Sequence, residues 1–121
     1  MNPVQVLLVE DDPVIALYMQ MLLECQGFAT LLATTAEEAL SCCARHRPAL
    51  AILNFWYSDN AGGMKLARAL RAMGPIKIFF VTGAQPEDLA DEPAFESGFG
   101  TLHKPFSRAQ WRKCLRDLLA A

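Results

Sequence analysis

The sequence predicts an α/β domain built on a parallel β-sheet with helices on both faces. Short aliphatic runs lacking polar alternation read as strands buried on both sides. Helix-patterned segments with capping residues separate them, and the connections are short, as crossover βα units require. The 121 residues fit one domain, residues 1–121. A chain of this length can bury a full core without disulfides or structural metal.

The elements follow in order. "VQVLLVE", Val4 to Glu10, is an aliphatic, β-branched run of strand length. "DDPVIALYMQMLLECQG" is the first helix. Asp12 caps it, Pro13 suits its first turn, Ile15, Tyr18, Met19 and Leu22 form its apolar stripe, and Gly27 closes it. "FATLLA" is the second strand. "TAEEALSCCARHR" opens on Thr35 with Glu38 three residues on, a capping-box pattern, and Ala39, Leu40 and Cys43 mark its apolar face. Leu50 to Leu53 is the third strand. Met64 to Met73 is the third helix, with Leu66, Ala67, Leu70 and Met73 at helical spacing. "IKIFFVT", Ile76 to Thr82, is the fourth strand. "PEDLADEPAFESG" is a weaker helix, because Pro93 sits inside it. "FGTLH" is a short fifth strand. "SRAQWRKCLRDLLA" is the closing helix, capped by Ser107, with Trp111, Leu115 and Leu118 buried.

Apolar residues make up 53 % and charged residues 20 %, an ordinary globular balance. A net charge of −2 gives no electrostatic basis for binding nucleic acid or an acidic membrane surface. No apolar run approaches the roughly 20 residues of a membrane span, and no signal peptide is visible. Cys25, Cys42, Cys43 and Cys114 form no C-x-x-C pair. They read as buried, reduced thiols, which points to the cytoplasm. His46 reads as a solvated cation at a helix end. Arg108, Arg112, Lys113 and Arg116 read as the polar face of the last helix.

In open parallel sheets, ligands bind outside the carboxyl ends of the strands. There the first strand delivers Glu10, Asp11 and Asp12, the third Asn54, the fourth Thr82, and the fifth Lys104 followed by Pro105. Clustered carboxylates repel one another unless a cation lies among them, and hard oxygen donors suit Mg²⁺. A hydroxyl and an ammonium can hold phosphoryl oxygens. An acidic run alone would be no more than a favourable helix N-terminus; co-occurrence at four strand ends carries the reading.

"VLLVEDDP", Asn54 at the end of the third strand, "FFVTGA" and "LHKPF", in this order, resemble the receiver domain of bacterial two-component response regulators. The resemblance implies a flavodoxin-like, doubly wound (βα)5 fold with a five-stranded parallel sheet in the order 2-1-3-4-5. It implies a signalling module rather than an enzyme, one that accepts a phosphoryl group from a histidine kinase onto an aspartate with Mg²⁺. By position, Glu10 and Asp11 resemble the acidic metal pair, and the backbone carbonyl of Trp56 the third metal ligand from protein. Thr82 resembles the switch hydroxyl, Lys104 the phosphate-binding lysine, Pro105 its cis proline, and Gly62 the glycine that opens the third helix.

The pattern breaks at the acceptor, where Asn54 stands in place of aspartate. An amide oxygen can ligate a metal weakly, but it is not the anionic nucleophile that forms an acyl phosphate. Phosphorylation at this position is therefore expected to be absent and Mg²⁺ binding to be weakened. Asp59, five residues on, is a poor substitute, and Phe55 after Asn54 slows deamidation. Further departures are Thr101 at the aromatic switch position, Ser58 where a proline is usual, and Pro93 in the fourth helix. Trp56, Tyr57 and Thr101 are candidates for a partner surface, since exposed aromatics favour interfaces.

The expectation is a stand-alone receiver acting through protein contacts: with a histidine kinase, a phosphotransfer protein, another regulator, or a second copy through the last helix. Three alternatives stay open. One is an engineered Asp-to-Asn variant of an ordinary phospho-accepting receiver. Another is a flavodoxin-like enzyme, although no glycine-rich phosphate loop follows the first strand. The third is a purely structural interaction domain.

Overall fold

The fold was described in a computed structural model covering residues 3–55, 60–82, 99–103 and 105–120. Strands β1 (Gln5–Val9), β2 (Ala29–Ala33), β3 (Leu50–Phe55), β4 (Lys77–Thr82) and β5 (Phe99–His103) form one sheet. Its order is β2-β1-β3-β4-β5 and every pairing is parallel. Helices α1 (Pro13–Cys25), α2 (Ala36–His46), α3 (Asn60–Ala72) and α4 (Arg108–Ala120) connect and cover it. The flavodoxin-like architecture expected from the sequence is the one observed. The segment expected to form the helix interrupted by Pro93 lies outside the described residues.

Alternation along the strands divides the core into two layers, since successive residues point to opposite faces. Leu7, Ala51, Leu53, Ile78 and Phe80 pack with Ala39, Cys42 and Cys43 of α2 and Leu66, Ala67 and Leu70 of α3. Val6, Leu8, Leu50, Ile52, Phe79 and Val81 pack with Met19, Leu22 and Leu23 of α1 and Trp111 and Leu115 of α4. The β3 run from Leu50 to Leu53 is apolar without interruption because both of its faces are covered. Trp111 is the pivot of the second layer. It meets Phe79 edge-on with ring centres 5.9 Å apart, and stacks on Phe106 at 5.6 Å.

The helix ends follow local chemistry. Asp12 Oδ1 accepts from the backbone N–H of Val14 at 2.9 Å and of Ile15 at 3.2 Å, with Pro13 in the first turn. At the other end of α1, Gly27 adopts φ +90°, a backbone region open mainly to glycine. The N–H groups of Gly27 and Phe28 then bond to the carbonyls of Glu24 and Leu23, a Schellman closure. Thr35 Oγ1 accepts from Glu38 N–H at 3.1 Å. The Glu38 carboxylate turns back to Thr34, taking its hydroxyl at 2.9 Å and its N–H at 3.3 Å. The capping box thus closes one residue earlier than its usual form. Arg71 Nε donates to Ile76 O at 2.6 Å and ties the end of α3 to the turn into β4.

Several expectations are corrected. Helix α3 begins at Asn60 instead of Met64, so Gly62 lies in its first turn; a glycine within a helix costs about 1 kcal/mol, which packing of the rest of a helix readily offsets. Met73 falls in the turn after α3 and is exposed. On α1, Tyr18 points to solvent, and Ala16 and Leu23 take its expected place in the core. On α2, Cys42 is buried and Leu40 only partly so. Cys25, expected to be buried, is exposed, while Cys42 and Cys43 are buried and Cys114 is intermediate.

Candidate functional site

The register of the sheet determines which strand-end residues are neighbours. Val9 pairs with Leu53 and Leu53 with Phe80. One residue past the last β1–β3 pair come Glu10 on one chain segment and Asn54 on the other; Asn54 pairs with Val81, and Val81 with Leu102. In the next row Phe55 pairs with Thr82 and Thr82 with His103. Neighbouring strands lie about 4.8 Å apart. The backbone therefore brings the positions of Glu10, Asp11, Asn54 and Thr82, separated along the chain, to one carboxyl edge. Glu10 continues the β1 ladder, its N–H donating to Ala33 O at 3.0 Å.

Glu10 has an environment unlike the other acids. It is 3 % exposed, the one buried charged or polar residue among those described. Its Oε2 accepts from Asp11 N–H at 3.0 Å. A buried carboxylate needs donors or a cation close by, and the Asp11 amide provides one such donor. Asp11 itself is exposed. Asp12 is committed elsewhere, as the cap of α1, and so is not a free member of the acid set. The sequence run "EDD" thus divides by role: a buried acid, an exposed acid and a helix cap.

These residues fit a hard divalent cation. Glu10 and Asp11 present carboxylate oxygens on adjacent residues at the sheet edge, beside position 54, and oxygen donors of this type suit Mg²⁺. No group of three or more His, Cys, Asp or Glu side chains is gathered among the described residues. Lys104, Trp56, Tyr57, Ser58, Asp59 and Pro93 lie outside the described residues. The peptide bond joining Lys104 to Pro105 therefore lies outside them as well; Pro105 itself is exposed. Thr101 lies in β5, a sheet edge, paired with Phe80.

Away from this edge the titratable groups are structural. Burial pushes the thiols of Cys42, Cys43 and Cys114 above their ordinary range. That keeps them protonated and poor nucleophiles. His46, Arg108, Arg112, Lys113 and Arg116 are all exposed, as solvated helix faces and ends should be. Lys113 Nζ lies 2.7 Å from Asp117 Oδ2, one helical turn away, and its hydrogen bond holds the Asp117 carboxyl below its usual range. No helix among the described residues is long and apolar enough to cross a membrane. The feature sequence reasoning missed is the solvent face of α1, where Val14, Leu17, Tyr18 and Met21 are all exposed. Its signal was the near absence of charge around that helix.

A doubly wound parallel sheet with acids, an amide and a hydroxyl at neighbouring strand ends defines the class of α/β domains that handle a phosphoryl group at the carboxyl edge. Residues 6–116 match the response regulator receiver domain, and the chain belongs to that family. It is 28 % identical over 119 residues to the probable transcriptional regulatory protein TcrX of Mycobacterium tuberculosis, covering 98 % of this chain and 50 % of the relative. The chain thus spans about half the length of that curated relative. Among solved structures, a CheY-like receiver domain from Methylobacillus flagellatus is 26 % identical with a TM-score of 0.81, covering 96 % of this chain and 98 % of the other. A response regulator from Thermotoga maritima superposes with a TM-score of 0.84 at 19 % identity, covering 98 % and 99 %. Receiver domains are signalling domains that bind Mg²⁺ at the acceptor site and interact with histidine kinases or phosphotransfer proteins.

Proposed function

We propose that this chain is a receiver domain whose output does not require phosphorylation of its own acceptor position. The observation that carries the reading is Asn54 near the end of β3, directly after Leu53, whose β1 partner Val9 directly precedes the buried Glu10. A phosphoryl acceptor there must attack phosphorus with an anionic oxygen, and a neutral amide has none. Glu10 and Asp11 would hold Mg²⁺, with weakened affinity because the carboxylate normally contributed by the third strand is missing. By the family resemblance, the amide oxygen of Asn54 and the Trp56 carbonyl would be the further donors. Bound there, the ion supplies charge neutralisation for an anionic ligand. Thr82 and Lys104 are the groups assigned to phosphoryl oxygens. Signalling then runs through protein contacts, with a histidine kinase, a phosphotransfer protein or another regulator as partner.

Incubation with a small acyl-phosphate donor and Mg²⁺, followed by intact mass measurement, tests this. The chain as it stands is expected to gain no phosphoryl group, and Asn54→Asp to gain one. A stable phosphoryl adduct on the unsubstituted chain that disappears on replacing Asp11 would overturn the reading.

A further inference from the structure

Strand β2 is an edge of the sheet, paired with β1 alone among the described residues. Its run Ala29–Ala33, ATLLA, holds no charge and no proline. Edge strands are ordinarily blunted by charge, proline or a bulge, because an open ladder is a template for another strand. The other edge, β5, carries Gly100 and ends on His103. On β2, Leu32 is 45 % exposed. Ala29 N–H donates to Val4 O at 2.9 Å, and Ala33 O accepts from Glu10 N–H at 3.0 Å. The odd-numbered residues of β2 therefore bond to β1. Successive residues of a parallel strand serve opposite neighbours. Thr30 and Leu32 thus direct their backbone N–H and C=O groups outward, away from β1.

Helix α2 flanks this edge, and the two elements share a centre. Leu31 is the midpoint of β2 and Ser41 the midpoint of α2. Five strand residues and 11 helical residues each span about 16 Å. Leu31, Leu32, Glu37, Ser41, Arg45 and His46 line one groove between them. Glu37 lies four residues before Ser41 and Arg45 four after, and all three are exposed. Glu38 is already held by Thr34. Glu24, bonded to Gln20, belongs to α1, on the other face of the sheet. A two-fold axis normal to the sheet, through Leu31 and Ser41, lays acid on base, the self-complementarity that a symmetric contact requires. We propose that β2 is a self-association edge. Two copies pair β2 antiparallel into one continuous sheet, with Leu31 opposite Leu31 of the other copy. Thr30 N–H donates to Leu32 O of the other copy, and Leu32 N–H to its Thr30 O. On the α2 face the two helices lie antiparallel and meet at Ser41, so that Glu37 of each faces Arg45 of the other. This proposal is independent of the reading of Asn54.

The size of the contact sets its strength. A strand of five residues and one flank of a helix of 11 cover less than the roughly 800 Å² per partner of a standard stable interface. Association is therefore concentration-dependent. Its exposed Glu37–Arg45 pairs make it weaken as salt rises.

Sedimentation equilibrium from low micromolar to near-millimolar protein, at low and high salt, tests the proposal together with residue-resolved amide hydrogen exchange. A monomer–dimer equilibrium favoured by low salt is expected, with exchange at Thr30 and Leu32 slowing as the dimer forms. Leu32→Lys puts a charge on the open edge and should weaken association by at least about tenfold, with circular dichroism confirming that the variant is folded. Arg45→Glu, on the exposed side of α2, should weaken it as well, and Glu37→Arg in the same chain should restore it. A chain that stays monomeric throughout leaves the edge to an extended segment of another protein and overturns the assignment. So does a dimer indifferent to Leu32→Lys and Arg45→Glu, or one in which the Thr30 and Leu32 amides exchange as fast as in the monomer.

Discussion

Restoring a carboxylate at position 54 should change stability in opposite senses with and without metal. In Asn54→Asp the new carboxylate follows Leu53, whose β1 partner Val9 directly precedes Glu10, 3 % exposed, and then Asp11. Adjacent strands are about 4.8 Å apart. Two like charges about 5 Å apart repel by roughly 1–3 kcal/mol for effective dielectric constants between those of water and a protein surface. In excess EDTA the variant should be less stable than the parent by that order. With Mg²⁺ the same charge attracts the cation, and a gain of roughly 1–3 kcal/mol corresponds to an affinity increase of about ten- to hundredfold. Metal that binds the folded chain stabilises it by mass action, about 2.7 kcal/mol at a hundredfold excess over Kd. The variant should therefore recover the lost stability in millimolar Mg²⁺, and respond to the ion more steeply than the parent. Urea unfolding followed by tryptophan fluorescence, in EDTA and in Mg²⁺, reads both effects, and calorimetric titration reads the affinity directly. Equal midpoints in EDTA together with unchanged Mg²⁺ affinity would refute the placement of residue 54 beside the acids.

Trp111→Ala should cost about 3–5 kcal/mol of unfolding free energy, because it removes a ring that is 1 % exposed and packed on Phe79 and Phe106; chemical denaturation reads it. Trp111→Phe should cost clearly less, since it also removes a buried indole N–H that has no partner among the described residues. Gly27→Ala should cost about 1–2 kcal/mol through backbone conformation alone, because φ is +90° while nothing lies within 4 Å of an added methyl group; thermal unfolding measures it. The raised thiols of Cys42 and Cys43 give a pH dependence of definite sign. Between the ordinary thiol range, about pH 8.5, and their raised values, the folded chain holds more protons than the unfolded one. Their stabilising contribution is full below that range and lost as pH rises through it. The urea midpoint should thus fall at alkaline pH, and fall less in Cys42→Ala/Cys43→Ala.

Much of the architecture was legible because its signals are local. Asp12 and Thr35 cap helices through atoms two or three residues away, and Gly27 closes α1 through its own backbone. The uninterrupted apolar run of β3 announced a strand covered on both faces. The identities of the strand-end residues, Asn54 above all, were likewise plain from the order of the chain.

Burial and adjacency were decided elsewhere, because they depend on which other elements cover a surface. Around α1 nearly every position is apolar, so periodicity had no contrast with which to choose a face; Tyr18 and Cys25 point outward only because β1, β3 and α4 occupy the opposite side. Three consecutive acids looked equivalent until the fold buried Glu10, exposed Asp11 and made Asp12 a cap. The sequence by itself determined which chemical groups end each strand. Only the tertiary structure decided which of them stand side by side, because strand register is a pairing between distant segments.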